Sequence, residues 1–302
     1  MSSRPTVLST QTSRRRVLAG ALGLAALSAL SPFAAGPARA FLPGMPPGTR
    51  YGTPKAVGHG EAFAFATVLG GRTRSIGMFF SDGALEGHEG HQAEHADVIL
   101  PMPAGIDDSA IVNATFGYMP MGHEPEVYSV PHIDAHFYFL TPAEVAAIDP
   151  ASSDYEEKAN RPVPPGTMPA GFVPPVPDGV PFVEATVPFM GLHWIDSAKS
   201  ALVTGVFDHE LIHGSWDGKW NFIEPMLTRE WLLTKETHDV ALTAPTTYPT
   251  AKAYPTRQRI SYSEQAGGWV IELSRMVGGN APTGSLGLGS LGAGSLGGSL
   301  GS

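Results

Sequence analysis

The chain has 302 residues, a formal net charge of −9, 11 histidines and no cysteine. Without cysteine there are no disulfides and no thiolate metal sites, so any bound metal must rest on His, Asp or Glu. The acidity excludes the basic footprint that nucleic acid and anionic membrane partners require.

The N-terminus reads Ser-Arg-Arg-Arg-Val-Leu at 13–18, then an apolar run, then Ala38-Arg39-Ala40. A basic region, a short apolar stretch and an Ala-x-Ala site are the layout of a secretory signal, and Arg14-Arg15 ahead of Val17-Leu18 is the twin-arginine pattern. The apolar run, about 15 residues broken by Ser and Gly, is too short for a membrane span. The expectation is a removed leader over 1–40, a mature chain from Phe41 without a membrane span, and a secreted or cell-envelope location. The leader holds five arginines and no acid, so its loss takes the net charge from −9 to −14.

Dense punctuation follows, with 28 Pro and 36 Gly in the whole chain. Residues 61–69 and 72–80 are apolar or alternating runs around Gly70-Gly71, which predicts a hairpin. His88, His91 and His95 sit in a polar stretch where a helix could present His91 and His95 together, a second and weaker site. Residues 96–103 and 110–119 read as strands. In 132–140 the period of two sorts Ile133, Ala135, Phe137 and Phe139 onto an apolar core face. His132, Asp134, His136, Tyr138 and Leu140 take the other face.

A row of His, Asp, His and Tyr is costly to bury unless each group is paired. It points to a wet cleft, a barrel interior or a divalent metal. Neighbours two apart on a strand are within chelating reach. His123, Glu124 and His193 are further candidate ligands. The set His132, Asp134, His136, His123 and His193 suits zinc, iron, manganese or copper alike. A hydrogen-bonded network without metal, or an exposed row, fits the same residues.

Thr141, Pro142 and Glu144 predict a capped helix start. Residues 150–181 are a Pro-rich connection. Residues 182–195 and 200–214 read as strand material, including Val203–Phe207. His209-Glu210-Leu211-Ile212-His213 matches the letters of the zinc-protease helix. On a strand, however, its two histidines lie about 13 Å apart, too far to share one ion. Trp216–Trp220 reads as a hairpin turn, 228–236 as a short helix, and 259–263 with 269–276 as a last hairpin. The uncharged tail from Ala281 reads as flexible. Fold class is mainly β: one β-barrel or β-sandwich-like domain over 41–280 with a few short helices.

These motifs carry a resemblance: Gly122-His123, Pro125, Val127-Tyr128, Pro131-His132, Asp134, His136-Phe137-Tyr138, Met190-Gly191, His193-Trp194, Gly214, Asp217-Gly218-Lys219 and Glu224-Pro225-Met226. Across roughly 58–277 the chain resembles an uncharacterised family of secreted bacterial β-rich domains known structurally from a Thermus protein. Ile133 stands where that pattern has Phe, and His213 where it has an aromatic residue. The resemblance implies a β-rich domain able to form a homo-oligomer, and it implies no reaction.

Three functions follow as expectations. The chain is an exported divalent-metal-binding protein; or a metal-dependent hydrolase or other metalloenzyme, with Glu124 or Glu224 as base; or a metal-free oligomeric envelope protein whose histidines form a structural network.

Overall fold

The computed structural model of the chain describes residues 42–88 and 97–279. The leader, His91, His95 and the tail lie outside the described residues.

Strands β1 (Thr49–Tyr51), β2 (Lys55–Val57), β3 (Gly60–Leu69) and β4 (Arg72–Ser81) begin a first sheet. Gly70 (φ 60°) and Gly71 (φ 71°) join β3 to β4 in the left-handed conformation that the expected tight hairpin needs. The next eight strands all enter a second sheet: β5 (Val98–Leu100), β6 (Asn113–Met119), β7 (His132–Tyr138), β8 (Phe172–Val173), β9 (Thr186–Val187), β10 (Gly191–Asp196), β11 (His209–Trp216) and β12 (Lys219–Thr228). The chain then returns to the first sheet through β13 (His238–Ala241), β15 (Arg257–Ser263) and β16 (Gly268–Ser274), while β14 (Ala253–Tyr254) pairs with β17 (Val277–Gly278). Helices α1 (Pro142–Ala146), α2 (Tyr155–Ala159), α3 (Ala201–Thr204) and α4 (Arg229–Thr234) are short.

The first sheet runs β1-β3-β4-β16-β15-β13, with β2 beside β3. The second runs β5-β6-β7-β12-β11-β10-β8, with β9 beside β10. Each sheet has two free ends, so of the two expected architectures this is the sandwich-like one and not a closed barrel. The pairing within both sheets is antiparallel.

The period of two on β7 holds. Ile133, Ala135 and Phe137 enter the main core with Ala64, Ile76, Met78, Phe80 and Ile271. Each fully buried aliphatic or aromatic side chain there contributes about 1.5–3 kcal/mol. The opposite face of β7 is buried as well. Tyr138, Phe222, Met226, Ile212 and Ile195 form a second cluster with Tyr128 and Ala201, so connecting segments cover the outside of the second sheet.

Two of those segments show why. Thr141 caps α1 as expected: its hydroxyl accepts from Glu144 N at 3.3 Å, and the Glu144 carboxylate accepts from Thr141 N at 2.8 Å. Val203–Phe207, expected as strand, instead forms the end of α3 and its exit. Ser200 Oγ accepts from Leu202 N, Glu210 Oε2 accepts from Ala201 N at 2.8 Å, and Gly205 (φ 73°) ends the turn. These bonds outweigh the strand preference of Val and Thr. The Pro-rich segment is a packed arm. Tyr155 lies on Trp216, Asn160 Oδ1 accepts from Val183 N, Arg161 bonds Asp217, and Phe172 meets the His213 ring. Among the described residues no helix is long and apolar enough to cross a membrane.

Candidate metal centre

The outer face of β7 presents His132, Asp134, His136 and Tyr138. Antiparallel β12 lies beside it, with Phe222 opposite Tyr138 and Met226 opposite Asp134, which sets Glu224 between them on the same face. Two strands further on, β10 carries His193. Its partner on β11 is Gly214, and the partner of Gly214 on β12 is Phe222. A Cβ on Gly214 would lie 1.9 Å from the Phe222 ring. The missing side chain lets that ring lie across β11, where it meets His136 and His193 edge-on at 5.2 Å each. His123 arrives on the loop before β7. Gly122 takes φ 66°, where a Cβ would lie 2.1 Å from the Tyr128 carbonyl oxygen, and His123 then packs on His132 at 4.8 Å.

The five expected ligands therefore come together, joined by Glu224, as two sets. One is His123, His132 and Asp134; the other is His136, His193 and Glu224. Each is two imidazoles and one carboxylate. In the first, the His123 and His132 Nε2 atoms lie 3.5 and 3.3 Å from Asp134 oxygens. In the second, the His136 and His193 Nε2 atoms lie 3.4 and 3.5 Å from Glu224 oxygens. An N–H···O bond is normally 2.7–3.2 Å. Two ligands on one tetrahedral ion, with bonds of ~2.1 Å, lie ~3.4 Å apart. The observed imidazole–carboxylate separations match the second spacing, each imidazole facing its own oxygen of the shared carboxylate.

The other ring nitrogens agree. His132 Nδ1 lies 2.6 Å from the Val130 carbonyl oxygen and His123 Nδ1 2.7 Å from that of Glu124. His136 Nδ1 lies 3.3 Å from Asp97 Oδ2, which also accepts from Thr115 Oγ1 at 2.7 Å. Carbonyls and carboxylates only accept, so each Nδ1 carries a hydrogen and each ring turns its Nε2 toward a carboxylate. Outer partners of this kind orient metal-binding histidines. Among the described residues, the buried atoms His132 Nε2, His136 Nε2, Asp134 Oδ1 and Glu224 Oε2 have no hydrogen-bond partner. Buried orphans facing one another this way are costly unless a proton or a metal ion lies between them.

The charges add strain of the same sign. Burial raises the Glu224 carboxyl to about 8, with Asp134 and Asp97 opposing its ionisation and His136 only partly offsetting them. Burial lowers His136, but Glu224 and Asp97 outweigh it and hold the ring at about 9. Burial would raise Asp134, yet the His123 and His132 rings facing it keep it below the usual carboxylate range. Burial pushes His193 down to about 3, leaving it neutral.

A cavity of about 240 Å3 opens beside both sets and is lined by His123, Asp134, His193 and Glu224 from them. Glu124 stands at its edge.

The other histidines go elsewhere. His209–His213 lies on β11, as the sequence requires. His213 is buried against Phe172 and Trp220, His209 Nε2 lies 3.1 Å from His238 Nδ1, and Glu210 accepts from Tyr128 Oη at 2.5 Å. His88 Nε2 meets the Ala84 carbonyl oxygen at 2.9 Å. Sequence reasoning missed Asp97 altogether and named Glu224 only as a base, where the structure sets it against His136 and His193. The alternating pattern of β12, with Glu224 between apolar neighbours, carried the one available signal. No family model, no curated protein and no solved structure matches this chain.

Proposed function

We propose that this chain is an exported metalloprotein that holds divalent transition-metal ions in its two histidine–carboxylate sets. The single observation that carries the reading is the spacing of 3.3–3.5 Å between Nε2 atoms and carboxylate oxygens, with the Nδ1 of His123, His132 and His136 held on acceptors outside the sets. Imidazole with carboxylate suits zinc, iron, manganese or copper. The test is elemental analysis of the full chain, expressed with its own leader and purified without a chelating tag. Up to two ions per chain are expected. A metal-free protein that also takes up no zinc in equilibrium dialysis would sink the reading.

The cavity favours a second, narrower reading: a metal-dependent hydrolase. A bound divalent ion makes water a nucleophile near neutral pH. In this reading Glu124, which lines the cavity, takes the proton of an attacking water and passes it to the leaving oxygen or nitrogen. A screen of ester and amide substrates with the metal-loaded chain, beside Glu124→Gln, tests this. Turnover equal in both proteins would exclude Glu124 as the base.

A further inference from the structure

The walls of the cavity are unlike its floor. Met190, Ile195, Ile212 and Met226 line it, and Val187 and Leu202, each 39% exposed, stand at its rim. Tyr128, the wall residue with a hydroxyl, already donates to Glu210. A sugar or nucleotide would leave its hydroxyls unpaired against such walls, whereas hydrocarbon would replace water at no polar cost. The floor is the reverse. Asp134 and Glu224 are 3% and 2% exposed, and each aims an unpartnered oxygen into the site.

We infer that the cavity binds a medium-length acyl compound, its oxygen head on the floor and its hydrocarbon along the Met190–Ile212 wall. This rests on the metal reading above, because a cation is what lets an oxygen head approach two carboxylates. The exposed apolar rim is then the entry for the chain.

The test uses zinc and a series of straight-chain hydroxamates, from acetohydroxamate to decanohydroxamate, titrated by calorimetry into the zinc-loaded full chain. Burial of each methylene should tighten binding about fourfold until the cavity is filled. Ala185→Phe, which adds a ring to the lining, should cap the gain at shorter chains. Leu202→Asp, at the exposed rim where folding is not at risk, should weaken the long members and spare acetohydroxamate. Zinc content should be unchanged in both variants. Length-independent affinity in a zinc-loaded protein would overturn this inference and leave the metal reading standing. Failure to take up zinc at all would overturn both.

Discussion

Strands β7 and β11 each carry two histidines and an acid, and they use them in opposite ways. On β7 the residues are two apart, so His132, Asp134 and His136 share one face, and β12 and β10 add Glu224 and His193 beside them. On β11 the histidines are four apart with Glu210 next to the first. The period of two sends His209 and His213 to one face and Glu210 to the other. His213 becomes an apolar filler between two aromatic rings, and Glu210 becomes a bracket for Tyr128 and Ala201 N. A ligand set depends on the element that displays it, and in a sheet it is completed by strands distant in sequence.

The contrast breaks most sharply in metal content. His132→Ala/His136→Ala should remove bound metal to background by elemental analysis, while His209→Ala/His213→Ala should leave it unchanged. Equal loss in both would mean the two strands are not functionally distinct. Asp97→Asn should weaken the second set about 10- to 100-fold in zinc affinity, since Asp97 orients His136 from outside. Competition against a chelator measures that, with the first set as internal control. Gly214→Ala forces the Phe222 ring off His136 and His193, and should cost about 1–3 kcal/mol in urea unfolding.

Acid and base separate the two strands more finely. Glu224 is raised from 4.5 to about 8 and His136 from 6.5 to about 9, so the metal-free fold holds their contribution at low pH and loses it as pH rises through those values. Zinc should remove that alkaline limb, and its effect on Tm should grow from pH 6 to pH 9. Burial lowers His213 from 6.5 to about 3, so its contribution is present above 6.5 and is lost as pH falls toward 3. His213→Leu should therefore make the acid limb shallower, leave zinc binding intact, and shift stability at neutral pH by under about 1.5 kcal/mol. An acid limb unchanged by that substitution would assign the loss to His193 instead.

Much of this was legible locally. The alternation of 132–139, the Gly70-Gly71 and Asp217-Gly218 turns and the Thr141–Glu144 cap are decided within a few residues, and each folds as its local chemistry dictates. The division into two sets was not legible. Glu224 joins His136 only through the register of β12 on β7, and Asp97 only because β5 and β6 bring it beside Thr115. Val203–Phe207 misled for the converse reason: its residues favour a strand, and the deciding bond comes from Glu210, nine positions from Ala201.

The order in which the first sheet is assembled has a consequence for biosynthesis. Ser81 at the end of β4 pairs with Gly268 at the start of β16, so β4 leaves the ribosome about 190 residues before its neighbour. At 5–20 residues per second, its open edge waits roughly ten to forty seconds. That edge belongs to a strand bearing Ile76, Met78 and Phe80, the composition from which intermolecular strand pairing starts. The nascent hairpin thus presents an unpaired edge until Gly268 is made, and a chain stopped before Gly268 keeps that edge permanently.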